Sequence, residues 1–257
     1  MAKVKDRVGE INYNKFGSKM EIIAYRGAND IDIYFEEYDC IVKNKQYKNF
    51  KIGNIRCPYN RNKYNGFLGE GKYNTKENGK KTKCYQTWFN MLIRCYDEEY
   101  KNKKTTYKDA TVCEEWHNFQ NFAKWYEENY YGVKDEEMQL DKDILIKGNK
   151  IYSPQTCVFV PKRINDLFVD KKKNRGDCPI GVSYSKMHNL YKAEVTITKN
   201  KKSGHIFLGL YNTKEEAFYV YKQYKENIIK QVADEYRPYI PRELYEAMYR
   251  WEVDIND

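Results

Sequence analysis

The sequence predicts an α+β chain of several modules, and three observations carry that prediction. Short apolar runs broken by glycine, asparagine and proline fill residues 11–67; aromatic side chains recur at helical spacing over 85–96 and 113–130; and a strictly alternating run near residue 195 precedes a helix-start signature. At 257 residues the chain is long for one core, since domains commonly hold about 100 to 200 residues. The expected division is 1–75 as a small β-barrel or sandwich, 83–168 as an α+β module and 169–178 as a basic linker. A three-stranded sheet packed on one helix follows at 179–236, and a C-terminal packing helix at 237–257.

In the first module MEIIAY (Met20 to Tyr25), IDIYFE (Ile31 to Glu36), CIVK (Cys40 to Lys43) and FKIGNI (Phe50 to Ile55) read as strands. Gly17, Gly27, Asn29, Asp30, Gly53 and Pro58 punctuate them at the spacing of a small antiparallel barrel or sandwich. No chemistry attaches to this stretch. In the second module YQTWFNMLIRCY places Trp88, Met91, Leu92 and Cys95 on one helical face, and CEEWHNFQNFAKWYEENY repeats the pattern with Trp116, Phe119, Phe122 and Trp125 or Tyr126. A strand-and-turn region follows, in which Gly148 and Asn149 supply a tight turn between Ile144 and Ile151. VDKKKNRGDC, residues 169 to 178, has no apolar period and reads equally as a solvated linker or a phosphate-contacting arm.

The last module is the most legible. In YKAEVTIT, Tyr191, Ala193, Val195 and Ile197 alternate with Lys192, Glu194, Thr196 and Thr198, the period of a half-buried strand. A second strand, HIFLGL, is expected to end at Gly209. Thr213 then stands three residues before Glu216, the spacing of a capping box, and Ala217, Val220, Tyr221, Tyr224, Ile228 and Val232 form a stripe able to cover one face of a sheet. The opposite face is left for water or a ligand. PRELYEAMYRWEV is expected to start a short helix with Pro241 in its first turn.

Composition bounds the function classes. Charged residues are 32% and the hydrophobic set 41%, with 26 tyrosines, too aromatic for a disordered chain. The formal charge of +9 favours a polyanionic partner, because each Lys or Arg seated on a phosphate releases a condensed counterion; a basic protein that binds nothing acidic is the plainer account. Abundant Lys, Asn, Tyr and Ile also suggest an AT-rich genome. No apolar run is long enough to span a bilayer and none follows MAKVKDR as in a signal peptide, so the expectation is a cytoplasmic protein with no membrane partner. Seven cysteines without a CxxC pair argue against a disulfide framework or zinc knuckle and for reduced, mostly buried thiols.

GVSYSK, then YKAEV, then FLGLYNTKEEAFYVY resembles the AP2/ERF-type DNA-binding domain of plant transcription factors and phage proteins, over about 55 residues. The resemblance implies a three-stranded sheet in the DNA major groove with the helix behind it. Carried over position by position, it implies base contacts from Ser183, Ser185, Glu194, Thr196, His205 and Phe207. Several of these positions hold arginine or tryptophan in the plant proteins, so bidentate guanine contacts are not implied here. Lys186, Lys192, Lys199, Lys201 and Lys202 are the candidate phosphate contacts, although a solvated charge is the plain account of any single lysine.

The middle module is similar to phage proteins of HNH-endonuclease type, through WxxMxxRCY (Trp88 to Tyr96), VCxEWxxFxxF (Val112 to Phe122), LDKDI (Leu140 to Ile144), GNKxYSPxTC (Gly148 to Cys157) and Ile164-Asn165. An active site of that type needs a histidine base and a divalent metal. The motif histidine falls where this chain has Lys142, and His117 on the aromatic helix is the nearest substitute. Asp141 and Asp143, two apart, share a face in an extended segment and would hold Mg²⁺, with Asn149 and Asn165 at later polar positions. Read structurally, Asp141 is a turn or cap residue, Asn149 a turn residue and His117 a surface or satisfied histidine. The lead expectation is a double-stranded-DNA-binding protein of phage or mobile-element type, with no cofactor and a degenerate HNH-like module. The alternatives are a Mg²⁺-dependent DNA endonuclease built on Asp141, Asp143, Asn149 and His117, and a phage factor that binds a host protein such as a defence nuclease.

Overall fold

Alternating apolar residues between Lys19 and Phe35 build the first sheet of the computed structural model, which describes residues 6–133, 135–169, 177–199 and 202–257. Strands β1 (Ile11–Tyr13), β2 (Lys19–Gly27), β3 (Asp30–Phe35) and β4 (Cys40–Lys45) form an antiparallel meander in that order. Met20, Ile22, Ile31, Ile33 and Phe35 turn inward to a core closed by Cys40, Phe50, Ile55 and Cys57. Among the described residues no pairing joins β1 to β4, so the sheet is open, neither the barrel nor the sandwich expected. FKIGNI is not a strand either. Helix α1 (Tyr47–Lys51) takes its first two residues, and Gly53, at φ +66°, closes the helical turn by donating its N–H to Phe50 O at 3.0 Å. The burial explains the difference: Phe50 and Ile55 are buried while Ile52 is 62% exposed, which no period-2 strand would give.

The chain divides into two units, Met1–Glu127 and Glu128–Asp257. In the first, the sheet is followed by a hairpin, β5 (Lys76–Glu77) and β6 (Lys80–Lys81), turned at Asn78-Gly79 with both residues at positive φ, and by α2 (Lys83–Tyr96). Thr82 caps α2 by accepting from the Tyr85 N–H at 3.1 Å. Trp88, Met91, Leu92 and Cys95 are buried, as the spacing predicts. After α3 (Glu98–Lys103) and β7 (Thr111–Val112), a 3-10 turn at Glu114–His117 leads into α4 (Phe119–Asn129), which buries Phe119, Phe122 and Trp125. Trp116 thus sits on the turn rather than the helix; its carbonyl accepts the Trp88 indole N–H at 2.7 Å, and its ring meets Phe122 edge-on and Trp125 at a tilt. Each such fully buried aromatic contributes about 1.5 to 3 kcal/mol over exposure.

In the second unit β8 (Met138–Asp141), β9 (Ile151–Tyr152) and β10 (Val158–Pro161) precede α5 (Lys162–Phe168), with β8 and β10 paired antiparallel. The turn expected at Gly148 and Asn149 is present, closed by Asn149 N–H on Ile146 O at 3.0 Å with Gly148 at φ +81°. Strands β11 (Val182–Ser185), β12 (Leu190–Lys199) and β13 (Lys202–Tyr211) make a three-stranded antiparallel meander. The long helix α6 (Lys214–Tyr236) begins at the full capping box of Thr213 and Glu216, and α7 (Arg242–Tyr249) begins one residue after Pro241. The seven cysteines are free thiols, four buried and three half-buried, and burial pushes Cys84 up to about 12. The protein is therefore of mixed α+β class, with several antiparallel sheets and seven α-helices among the described residues.

Helix α6 serves two cores. Its first half, through Ala217, Phe218 and Tyr221, packs on Val182, Ala193 and Val195 of the sheet. Its second half, through Ile229, Val232, Ala233 and Tyr236, packs with Ile144, Val158, Val160, Ile164, Leu244 and Met248. The linker expected at 169–178 falls largely on residues 170–176, which lie outside the described ones.

Candidate nucleic-acid interface

One face of the β11–β13 sheet is core and the other is open. Ala193 and Val195 are buried against α6, with Ile197, Ile206 and Leu208 partly so. The intervening residues point away from the helix. Across the sheet Ser183 stands opposite Lys192, Ser185 opposite Leu190, Glu194 opposite Phe207, and Thr196 opposite His205. The six side chains assigned base contacts by resemblance thus share one surface, and Lys192 joins them.

A bulge sets that register. Strand β13 does not end at Gly209 but runs on to Tyr211, and the pairing slips between Ala193 opposite Gly209 and Glu194 opposite Phe207. Leu208 and Gly209 therefore both oppose Ala193, and Leu208 reaches the core while Phe207 stays outside. Gly209 has φ +135°, and a Cβ there would lie 2.7 Å from the Tyr211 hydroxyl, which donates to Leu208 O at 2.9 Å. The residue expected to break the strand bends it instead. At the other edge Gly181, φ +75°, has the Tyr221 ring where a Cβ would stand.

The open face carries a polar network. Lys192 Nζ donates to Glu194 Oε2 at 2.9 Å, and His205 Nδ1 lies 3.5 Å from Glu194 Oε1 and 3.2 Å from Thr196 Oγ1. Ser185 Oγ is 3.0 Å from His188 Nδ1. Phe207 is 59% exposed and Met187, in the β11–β12 turn, 84%. Lys186 is exposed in the same turn. Lys201 lies outside the described residues, and Lys202 and Lys199 are described only as backbone at the facing ends of β13 and β12. Met187, His188 and Leu210 border this surface without having been singled out in the sequence; only the pairing places them there.

Charge is distributed unevenly over this unit. Residues 179–211, the sheet, hold five lysines and one acid, Glu194. Residues 212–257, the helices behind it, hold seven basic and ten acidic residues. The sheet segment is therefore net positive and the helical segment behind it net negative.

The second group of candidates is spent on structure. Asp141 Oδ1 accepts the N–H of Asp143 and of Ile144, each at 2.8 Å, closing a turn at the end of β8. Burial first, then the Asp143 carboxylate, raise its carboxyl above the usual aspartate range. Lys142, where the motif histidine would stand, is buried and donates to Asp143 Oδ2 at 2.7 Å. Asn149 Nδ2 donates to the carbonyls of Lys142 and Ile151, both at 2.7 Å, and Asn165 donates to Gln139 Oε1 at 2.6 Å. His117 belongs to the first unit and is 4% exposed. The Val112 N–H donates to Tyr96 Oη, which lies 2.8 Å from His117 Nε2, and His117 Nδ1 lies 3.1 Å from Glu114 Oε2 without a hydrogen bond. Burial pushes the imidazole down, toward its neutral form. Among the described residues no group of three His, Cys, Asp or Glu is arranged to hold a metal.

A cleft of about 440 Å³ lies beside Trp251, but its lysines are engaged: Lys147 Nζ donates to Glu252 O and Asp257, and Lys222 Nζ to Val253 O. No helix among the described residues is long and apolar enough to cross a membrane. No family model, curated protein or solved structure matches the chain.

Proposed function

We propose that this chain is a duplex-DNA-binding protein, of the phage or mobile-element type its motifs resemble, and that it meets DNA with the open face of β11–β13. The observation that carries this reading is the sheet itself: one side is closed by α6 and the other is uncovered and polar, on a segment whose sequence holds five lysines and one acid. Lys186 and Lys192 supply phosphate contacts, which set position, while the side chains between them face the base edges. The HNH-like segment acts as a scaffold without cleavage. Its support for the sheet is physical, since Ile144, Val158 and Val160 pack on the same helix.

Fluorescence anisotropy of the full chain with a labelled duplex tests this. Affinity should fall steeply between about 50 and 200 mM salt, as counterion release requires. An affinity too weak to measure at low salt, or one indifferent to salt, overturns the proposal. Supercoiled plasmid incubated with the protein and Mg²⁺ or Mn²⁺ should stay intact; nicking that Asp141→Ala abolishes would restore the endonuclease reading.

A further inference from the structure

The hairpin β5–β6 of the first unit holds positive charges where folding alone would not place them. Residues 72–83 carry five lysines and one acid, Glu77. In the ladder Lys76 stands directly opposite Lys81, and Glu77 opposite Lys80, so the first two share one face of the ribbon and the other two its reverse. Like charges paired across a ladder destabilise it. Basic side chains elsewhere in this unit are met by carboxylates: Arg7 by Glu10, Lys19 by Glu36 and Arg61 by Glu114. Among the described residues no carboxylate forms an ion pair with Lys76 or Lys81.

The ribbon is nonetheless anchored at its base. The Tyr73 N–H donates to Gln120 Oε1 and its carbonyl accepts from Gln120 Nε2, both at 3.0 Å, while its hydroxyl donates to Glu127 Oε2 at 2.6 Å. On the other strand the Thr82 N–H donates to Thr75 O at 3.1 Å, just where Thr82 caps α2. Beyond these anchors every residue from Lys76 to Lys81 is exposed, and Lys81 Nζ lies 5.5 Å from the Phe89 ring. A pair of uncompensated ammonium groups on an anchored ribbon is preorganised for an anion.

The make-up of the ribbon narrows the choice of anion. Two strands about 4.8 Å apart match the B-form major groove, about 12 Å wide, which admits a two-stranded ribbon; the A-form major groove is too narrow for side chains to read. No aromatic residue lies between Lys76 and Lys81, so the ribbon offers no platform for unpaired bases. Lysine meets a phosphate as a point charge and takes no sequence information from it.

We propose that β5–β6 is a second DNA-contact site, on which Lys76 and Lys81 seat backbone phosphates of a B-form duplex whatever its sequence. The ligand is the one proposed for the β11–β13 face; the residues belong to the other unit, and none of the sheet's contacts is needed.

Anisotropy of the full chain on a labelled duplex, from about 50 to 200 mM salt, tests this. Lys76→Gln with Lys81→Gln should lower the slope of log affinity against log salt by about 2, at about 0.9 per phosphate contact. Lys48→Gln with Lys51→Gln removes equal charge from α1 and should leave the slope within about 0.5. Lys76→Arg with Lys81→Arg should keep it. Lys76→Gln alone should weaken binding yet leave the thermal midpoint equal or higher, because the repulsion across the ladder is gone. The loss in the Gln pair should be the same on any DNA sequence and smaller on duplex RNA. An unchanged slope in that pair, an equal drop in the α1 pair, or a larger loss on RNA overturns this inference and leaves the sheet reading intact. If the Gln pair lowers the slope while Lys186→Glu with Lys192→Glu does not weaken binding, the hairpin site stands and the sheet reading falls. No binding to any duplex removes both.

Discussion

The two larger sheets of this protein share a plan and differ in what they show to solvent. Each is an antiparallel meander with one side closed, by α1 and its neighbours in the first unit and by α6 in the second. In the first, the uncovered side crosses all four strands in the row Ile11, Glu21, Tyr34, Ile41. Residues 11–45 hold five basic and six acidic side chains, against five and one in residues 179–211. The pattern of burial makes a sheet; the residues on its wet side decide what it meets. The same fold logic therefore yields one sheet segment that is net positive and one that is close to neutral.

That contrast is open to direct attack, and the largest effect is expected from charge. Lys186→Glu with Lys192→Glu should weaken duplex binding about 100-fold at low salt, since two favourable contacts become repulsions. Lys19→Glu with Lys45→Glu changes the net charge of the chain by the same amount on the other sheet and should stay within about twofold. Equal losses from the two pairs would mean that net charge, not the β11–β13 face, governs binding. Next comes Gly209→Ala, which forces a side chain into left-handed backbone against the Tyr211 hydroxyl. A cost of about 2 kcal/mol is expected in denaturant unfolding. Thr213→Ala removes half of the capping box and should cost about 1 kcal/mol, with Thr213→Ser restoring most of it.

The smallest expected change separates a turn residue from a metal ligand. Asp141→Asn keeps the oxygen that accepts the two backbone N–H groups, so stability near pH 7 should be unchanged or slightly higher, whereas Asp141→Ala should lose about 1 to 2 kcal/mol. The pH dependence has a definite sign. A carboxyl raised in the folded state binds its proton more tightly there than in the unfolded chain, where it titrates near about 3.9. Its contribution to stability is therefore full below that value and is lost as pH rises through the folded one. Asp141→Asn should flatten this part of the stability profile, measured by urea unfolding between about pH 3 and 7; an unchanged profile would assign the slope to another group.

Much of this was legible where local chemistry decides. YKAEVTIT alternates, and β12 buries Ala193 and Val195 as the alternation requires. The Thr213 to Glu216 spacing marks the start of α6, and the Trp88, Met91, Leu92, Cys95 spacing the buried face of α2. What escaped depends on partners remote in sequence. FKIGNI carries strand-like residues, yet Phe50 and Ile55 are both drawn into the core and Gly53 turns the chain between them. The bulge at Leu208 and Gly209 is invisible in β13 alone, because it is defined against Ala193; without that slip Glu194 would not face Phe207. The stripe of α6 extends visibly to Ile228 and Val232, but that Val158, Ile164 and Leu244 would meet its far end follows only from the assembled unit.

Helix α6 has 23 residues, about 34 Å of rod at 1.5 Å per residue. Because both cores of the second unit are threaded on it, melting either one strips support from its neighbour. Slow amide exchange in β12 and in β8 should then rise and fall as one cooperative block, and a grip on the front of this unit would be felt at its rear.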